Sequence, residues 1–157
     1  GQVWLCDADP GKAAIAERLG ARFCLPDAAP EGVDVAINAS GSGEGLVTAL
    51  AAAGREATVV EASWLGTRTA SLPLGGAFHS QRLRIVSSQV GTLPPARAPR
   101  WTLARRLSAA IGLLEDPALD ALITHEVPFS EAPDRLPALL TEPGPLAIVL
   151  TYEGPAD

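Results

Sequence analysis

Short apolar runs alternate along this chain with segments of helical period. QVWLC (Gln2 to Cys6) reads as a strand and runs into the turn DADPGK. Asp9 is placed to cap a helix whose first turn holds Pro10. KAAIAERLG continues it, with Ala13, Ala14, Ile15 and Leu19 as an apolar stripe and Gly20 as the stop. ARFCLP is a second strand and VDVAIN a third, apolar enough to be buried on both faces. GEGLVTALAAAG is a helix closed by Gly54, and EATVVEA a fourth strand. Strands separated by helices of about 10–12 residues predict an α/β, doubly wound parallel sheet with right-handed crossovers.

After Ser63 the pattern loosens. LPLGGAFHSQ suggests a turn and short helix, LRIVSSQVG a fifth strand and TLPPARAPR an irregular connection. WTLARRLSAAIGLLED is an amphipathic helix with Trp101, Leu103, Leu107, Ile111 and Leu114 on one side. LDALITHEVP is a strand ending near Pro128, SEAPDRLPALLT a helix capped by Ser130, and PLAIVLTYE a last strand. No repeat interrupts the chain, so residues 1–157 form one unit.

Composition narrows the classes. A chain of 157 residues that is 47% hydrophobic and 19% charged is globular. No apolar run approaches the ~18 residues of a membrane span, and no signal peptide is evident, so a soluble cytoplasmic protein is expected. A net charge of −6 argues against nucleic-acid binding. Cys6 and Cys24 lie in apolar runs and read as buried, reduced thiols; no C-x-x-C offers zinc a thiolate pair. His79 and His125 stand apart and read as structural, leaving no metal ligands and no catalytic residue in this chain. From Ala62 to Leu114 there is no acid but seven arginines: Arg68, Arg82, Arg84, Arg97, Arg100, Arg105 and Arg106. They are either a solvated face that neutralises acidic neighbours or a site for an anionic group.

SGSGEG, after the third strand, imitates a nucleotide-binding turn. The dinucleotide fingerprint G-x-G-x-x-G would need a third glycine where Leu46 stands. Asp7, at the end of the first strand, is placed either to hold the hydroxyls of an adenosine ribose or to cap the turn that follows it.

The succession VWLCDADPGKAAIAERLGA, DVAINASGSGEGLVTALAAAGREATVVEASWLG, FHSQRLRIVSSQV and LDALITHEVPFSEAPDRLPALL resembles the cofactor-binding half of the medium-chain dehydrogenases, the zinc-type alcohol, sorbitol and threonine dehydrogenases. The resemblance spans nearly the whole chain. It implies a Rossmann-like domain that binds NAD, with Asp7 on the adenosine ribose, Lys12 beside it, and NADP disfavoured. Ala39, Ser40 and Gly41 would line the cofactor's path, Ala62 and Ser63 would flank the nicotinamide ribose, and Ser88 and Gln89 would lie near the nicotinamide. It also implies a small alcohol or carbonyl substrate, and a homo-oligomer formed near RIVSSQVG.

The resemblance further implies that the first strand, its glycine-rich turn and the zinc-holding catalytic domain lie outside this sequence. Zinc is thus expected only in that domain. In the strand order 3-2-1-4-5-6 the first strand is central. Without it, the sheet is expected to have a gap or its halves to pair directly. The chain, which begins at Gly1 and has no Met, is then expected to be inactive alone, a processed, excised or truncated piece completed by an N-terminal part or another polypeptide. Two alternatives stand beside the dehydrogenase reading: a non-catalytic Rossmann-like module that has lost the phosphate loop and zinc domain, and a regulatory nucleotide sensor.

Overall fold

A computed structural model describes residues 1–142 and 144–152. Every strand pair in it is parallel. β1 (Trp4–Cys6) pairs with β2 (Arg22–Cys24), joined by a 3-10 turn (Pro10–Lys12) and α1 (Ala13–Arg18). Asp9 caps the turn by accepting from the Gly11 amide at 2.8 Å, and Gly20, at φ +75°, reverses the chain after α1. β3 (Val33–Asn38), α2 (Gly43–Ala52), β4 (Ala53–Glu61) and β5 (Arg84–Ser87) build a sheet in the order β3-β4-β5. An irregular helical turn, Leu74–Phe78, precedes β5. α3 (Leu103–Leu113) leads to β6 (Ile123–Pro128), α4 (Ala132–Leu139) and β7 (Ala147–Thr151), and β6 pairs with β7.

The α/β Rossmann-like architecture and the order of elements agree with the sequence. The single sheet does not form. Three ladders form instead, and β1 and β3 each keep one open backbone edge because no described strand pairs with both. Among the described residues β1 and β3 do not pair directly.

The core lies between α2 and the β3-β4-β5 sheet. Leu46 and Leu50 of α2 bury against Ala53, Ala57 and Val59 of β4 and against Leu83, with Phe78 and Ile85 partly buried around them. Gly54 corrects one expectation. It does not close α2, which ends at Ala52, but sits in β4 where a Cβ would come 2.8 Å from the Gly32 carbonyl oxygen. The site needs glycine for close approach of two backbones.

At β3, α3 and Cys6 surface is left uncovered. β3 is not buried on both faces, for Val35 is 56% and Ile37 65% exposed. The apolar stripe of α3 is formed, but Leu103, Leu107, Ile111 and Leu114 all face solvent. Cys24 is buried as expected and Cys6 is exposed. Ser130 does not cap α4. It lies in a 3-10 turn, Phe129–Glu131, whose carbonyl at Phe129 already takes the Ala132 amide. β6 ends at Pro128, as expected, and the Glu153 end of the last predicted strand lies outside the described residues.

The chain exposes 11457 Å². A self-contained protein of this mass exposes about 7,500 Å². The excess is on the scale of a large obligate interface. No helix among the described residues is long and apolar enough to cross a membrane.

Candidate functional site

The C-terminal ends of β3, β4 and β5 fall in one line. Asn38 registers with Glu61, and Glu61 with Ser87. The ladder continues one step, with the Ala62 amide on the Asn38 carbonyl at 2.9 Å and the Ser88 amide on the Glu61 carbonyl at 2.8 Å. Three segments named from the sequence, Ala39–Gly41, Ala62–Ser63 and Ser88–Gln89, therefore leave the sheet side by side. Crevices at this end of open parallel sheets are where such folds bind ligands.

Two residues outside that set organise the edge. Asn38 is 4% exposed; its amide donates to Glu61 Oε2 at 2.7 Å and its Oδ1 accepts from the Ser40 hydroxyl at 2.8 Å. Glu61 Oε1 accepts from the Ser63 amide at 2.9 Å and from the Ser63 hydroxyl. Burial pushes the Glu61 carboxyl up, but the bonds from Ser63 and Asn38 outweigh it and hold the group below the usual range. Glu61 is therefore an ionised tie between β3 and β4. The signal was a polar residue directly after an apolar run, Val35–Ile37 before Asn38 and Val59–Val60 before Glu61.

The SGSGEG turn is explained by packing. The Ser40 amide is spent on Asn38 Oδ1, the Ser42 amide on the Ser40 hydroxyl and the Gly45 amide on the Ser42 hydroxyl, which caps α2. A Cβ on Gly45 would lie 2.7 Å from Asn38 Oδ1 and still closer to the Ser40 hydroxyl. Gly41 adopts φ +67°. Those three amides are already paired within the turn and its helix cap. Arg68 ties it down by donating to the Gly41 carbonyl at 2.8 Å. Ser42 and Arg68 also border a cleft of about 540 Å³ together with Glu44, Thr69 and Ser71.

Asp7 and Lys12 are brought together, at 2.8 Å. Asp7 Oδ1 also accepts from the Asp9 amide at 2.9 Å. Burial raises the Asp7 carboxyl, while the Lys12 ammonium and the Asp9 amide more than offset it and keep it below its ordinary value. Asp7 thus caps its turn and remains an ionised acceptor. Its network shares no residue with that of Asn38 and Glu61. Gln89 turns onto the Gly91 amide of its own loop, and Ser88 is exposed.

The arginines do not converge. Arg82 and Arg84 flank Glu56 at 3.1 and 4.0 Å, near the start of β4 and away from the candidate edge. Arg106 donates to the Val90 and Thr92 carbonyls, and Arg105 lies 4.6 Å over the Trp101 ring. His125 bonds its neighbour Thr124 at 3.0 Å. Among the described residues no three His, Cys, Asp or Glu side chains group as a metal site.

No protein-family profile and no curated protein matches the sequence. Solved structures do match in fold. 2R,3R-butanediol dehydrogenase from Bacillus subtilis superposes with TM-score 0.71 at 17% identity, over 97% of this chain and 44% of its own. A putative zinc-binding dehydrogenase from Clostridium scindens gives TM-score 0.74 at 15% identity, over 96% and 43%. A short chain alcohol dehydrogenase from E. coli CFT073, complexed with cofactor NADH, gives 0.70 at 18%, over 96% and 44%. This chain has the α/β Rossmann-like fold found within these dehydrogenases, and it spans less than half the length of each.

Proposed function

We propose that this chain is the cofactor-binding part of an NAD-dependent, zinc-type alcohol dehydrogenase-like oxidoreductase that interconverts an alcohol or polyol and its carbonyl. The observation that carries the reading is the registered edge Asn38–Glu61–Ser87, which opens three adjacent loops at the C-terminal end of a parallel sheet. The dehydrogenase neighbours, one of them complexed with NADH, support it.

The residues fit two ends of the cofactor. Asp7 is an ionised acceptor for ribose hydroxyls, with Lys12 holding its rotamer. Ala39–Gly41, Ala62, Ser63, Ser88 and Gln89 would line the nicotinamide half. Bound there, the nicotinamide supplies a hydride acceptor and donor. The chain's own part is to bind, to orient and to shield. Among the described residues no three His, Cys, Asp or Glu side chains group as a zinc site, and no step of that part runs through a metal. A strand that pairs with both β1 and β3 would close the two open edges and bring Asp7 into line with the other loops.

The test is a titration of the purified protein with NADH and NADPH, followed by nicotinamide fluorescence. Saturable NADH binding is expected, with NADPH weaker by about tenfold, since Lys12 offsets part of the repulsion of Asp7 for a 2′-phosphate. Asp7→Ser should narrow that ratio. If neither nucleotide binds at millimolar concentration, the cofactor reading falls. The non-catalytic module, favoured by the spent amides of the SGSGEG turn, then takes its place.

A further inference from the structure

Cys6 and Cys24 end β1 and β2 and are register partners across them. Partners on neighbouring parallel strands lie about 4.8 Å apart, with side chains on one face. A disulfide spans Cα separations of about 4.4–6.8 Å. Both cysteines are free thiols; Cys6 is open to solvent and Cys24 is buried behind it. Neither belongs to the proposed cofactor edge.

We infer that Cys6 and Cys24 form a reversible dithiol–disulfide pair across β1 and β2, oxidised by a low-molecular-weight disulfide such as oxidised glutathione. Cys6, the accessible thiol, gives its proton to water. Its thiolate attacks one sulfur of oxidised glutathione and expels a glutathione thiolate, leaving a mixed disulfide on Cys6. Cys24 then loses its proton and attacks the Cys6 sulfur. The Cys6–Cys24 bond forms and the second glutathione thiolate leaves. Two protein thiols are oxidised, one oxidised glutathione is reduced to two glutathiones, and the two protons end on the departing thiolates.

The surroundings set the rate. Burial, the adjacent Cys24 thiol and the carboxylates of Asp7 and Asp27 push the Cys6 thiol up to about 11. Thiolate is scarce near neutral pH, so the exchange is slow there and quickens about tenfold per pH unit. The position also resists adventitious oxidation by the same reasoning.

The experiment equilibrates the purified protein with glutathione buffers of graded oxidised-to-reduced ratio, then alkylates free thiols and maps tryptic peptides by mass. The expected product joins the peptide ending at Lys12 to the peptide beginning at Phe23. It should appear in the native protein at more reducing ratios than in strong urea. Cys6→Ser should abolish modification by glutathione at this pair, and Cys24→Ser should halt the reaction with glutathione on Cys6. Two alkylated cysteines at every ratio would overturn the inference. So would a persistent mixed disulfide on wild-type Cys6, or equal oxidation of native and unfolded chains.

Discussion

Glu61 ties two parts of the candidate edge, because one carboxylate satisfies Asn38 on one strand and Ser63 beyond the next. Removing it with Glu61→Leu leaves the buried Asn38 amide only its 3.4 Å bond to the Ser42 carbonyl and should cost about 1–3 kcal/mol, read as a lowered urea midpoint. Glu61→Gln keeps an acceptor for Asn38 and should cost less. Two equal midpoints would mean that the tie contributes nothing. The pH dependence follows from the same bonds. Glu61 and Asp7 both titrate below their ordinary values of 4.5 and 3.8 in the folded protein. Their stabilising contribution is therefore complete above those values and is lost as pH falls through the lower folded-state ones. Melting temperature should drop with acidification in that window, and Asp7→Asn should flatten part of the drop. At this scale the sequence showed local pairs well: the Asp9 cap needs only the next two residues. It did not show the Asn38–Glu61 bond, whose partners are 23 residues apart and meet only through strand register.

The elements were legible because their period is local. β1, α1, β2, β3, α2 and β4 appear in the order that alternating apolar runs predicted. Their burial was not legible, since it depends on what packs against them. The unbroken apolar run of β3 fits a strand covered on both faces, and Val35 and Ile37 stand exposed for want of that cover. Gly54 shows the same gap at an element boundary. Read as a helix stop, it is instead the point where β4 passes close to the backbone at Gly32. Gly54→Ala should push the strands apart and destabilise the protein by about 1–3 kcal/mol. A urea midpoint equal to that of the parent would contradict this close approach. Gly20→Ala, by contrast, meets no neighbour and strains only its own φ of +75°.

Over the whole molecule, the surface area decides the interpretation. A composition 47% hydrophobic reads as enough for a closed core, yet the chain exposes 11457 Å², half again as much as its mass requires. The open edges of three separate sheets and the bare apolar side of α3 contribute to that surface. The central claim is that the loops at the ends of β3, β4 and β5, together with the Asp7–Lys12 turn, hold a nicotinamide dinucleotide. Hydrogen–deuterium exchange of the purified protein, with and without saturating NADH, tests it most directly. Slowed exchange confined to residues 39–41, 62–63 and 88–89 and to the turn 7–12, with the arginine-rich segment 94–100 unchanged, is the predicted result. Unchanged exchange at those four places, or protection centred elsewhere, would contradict it.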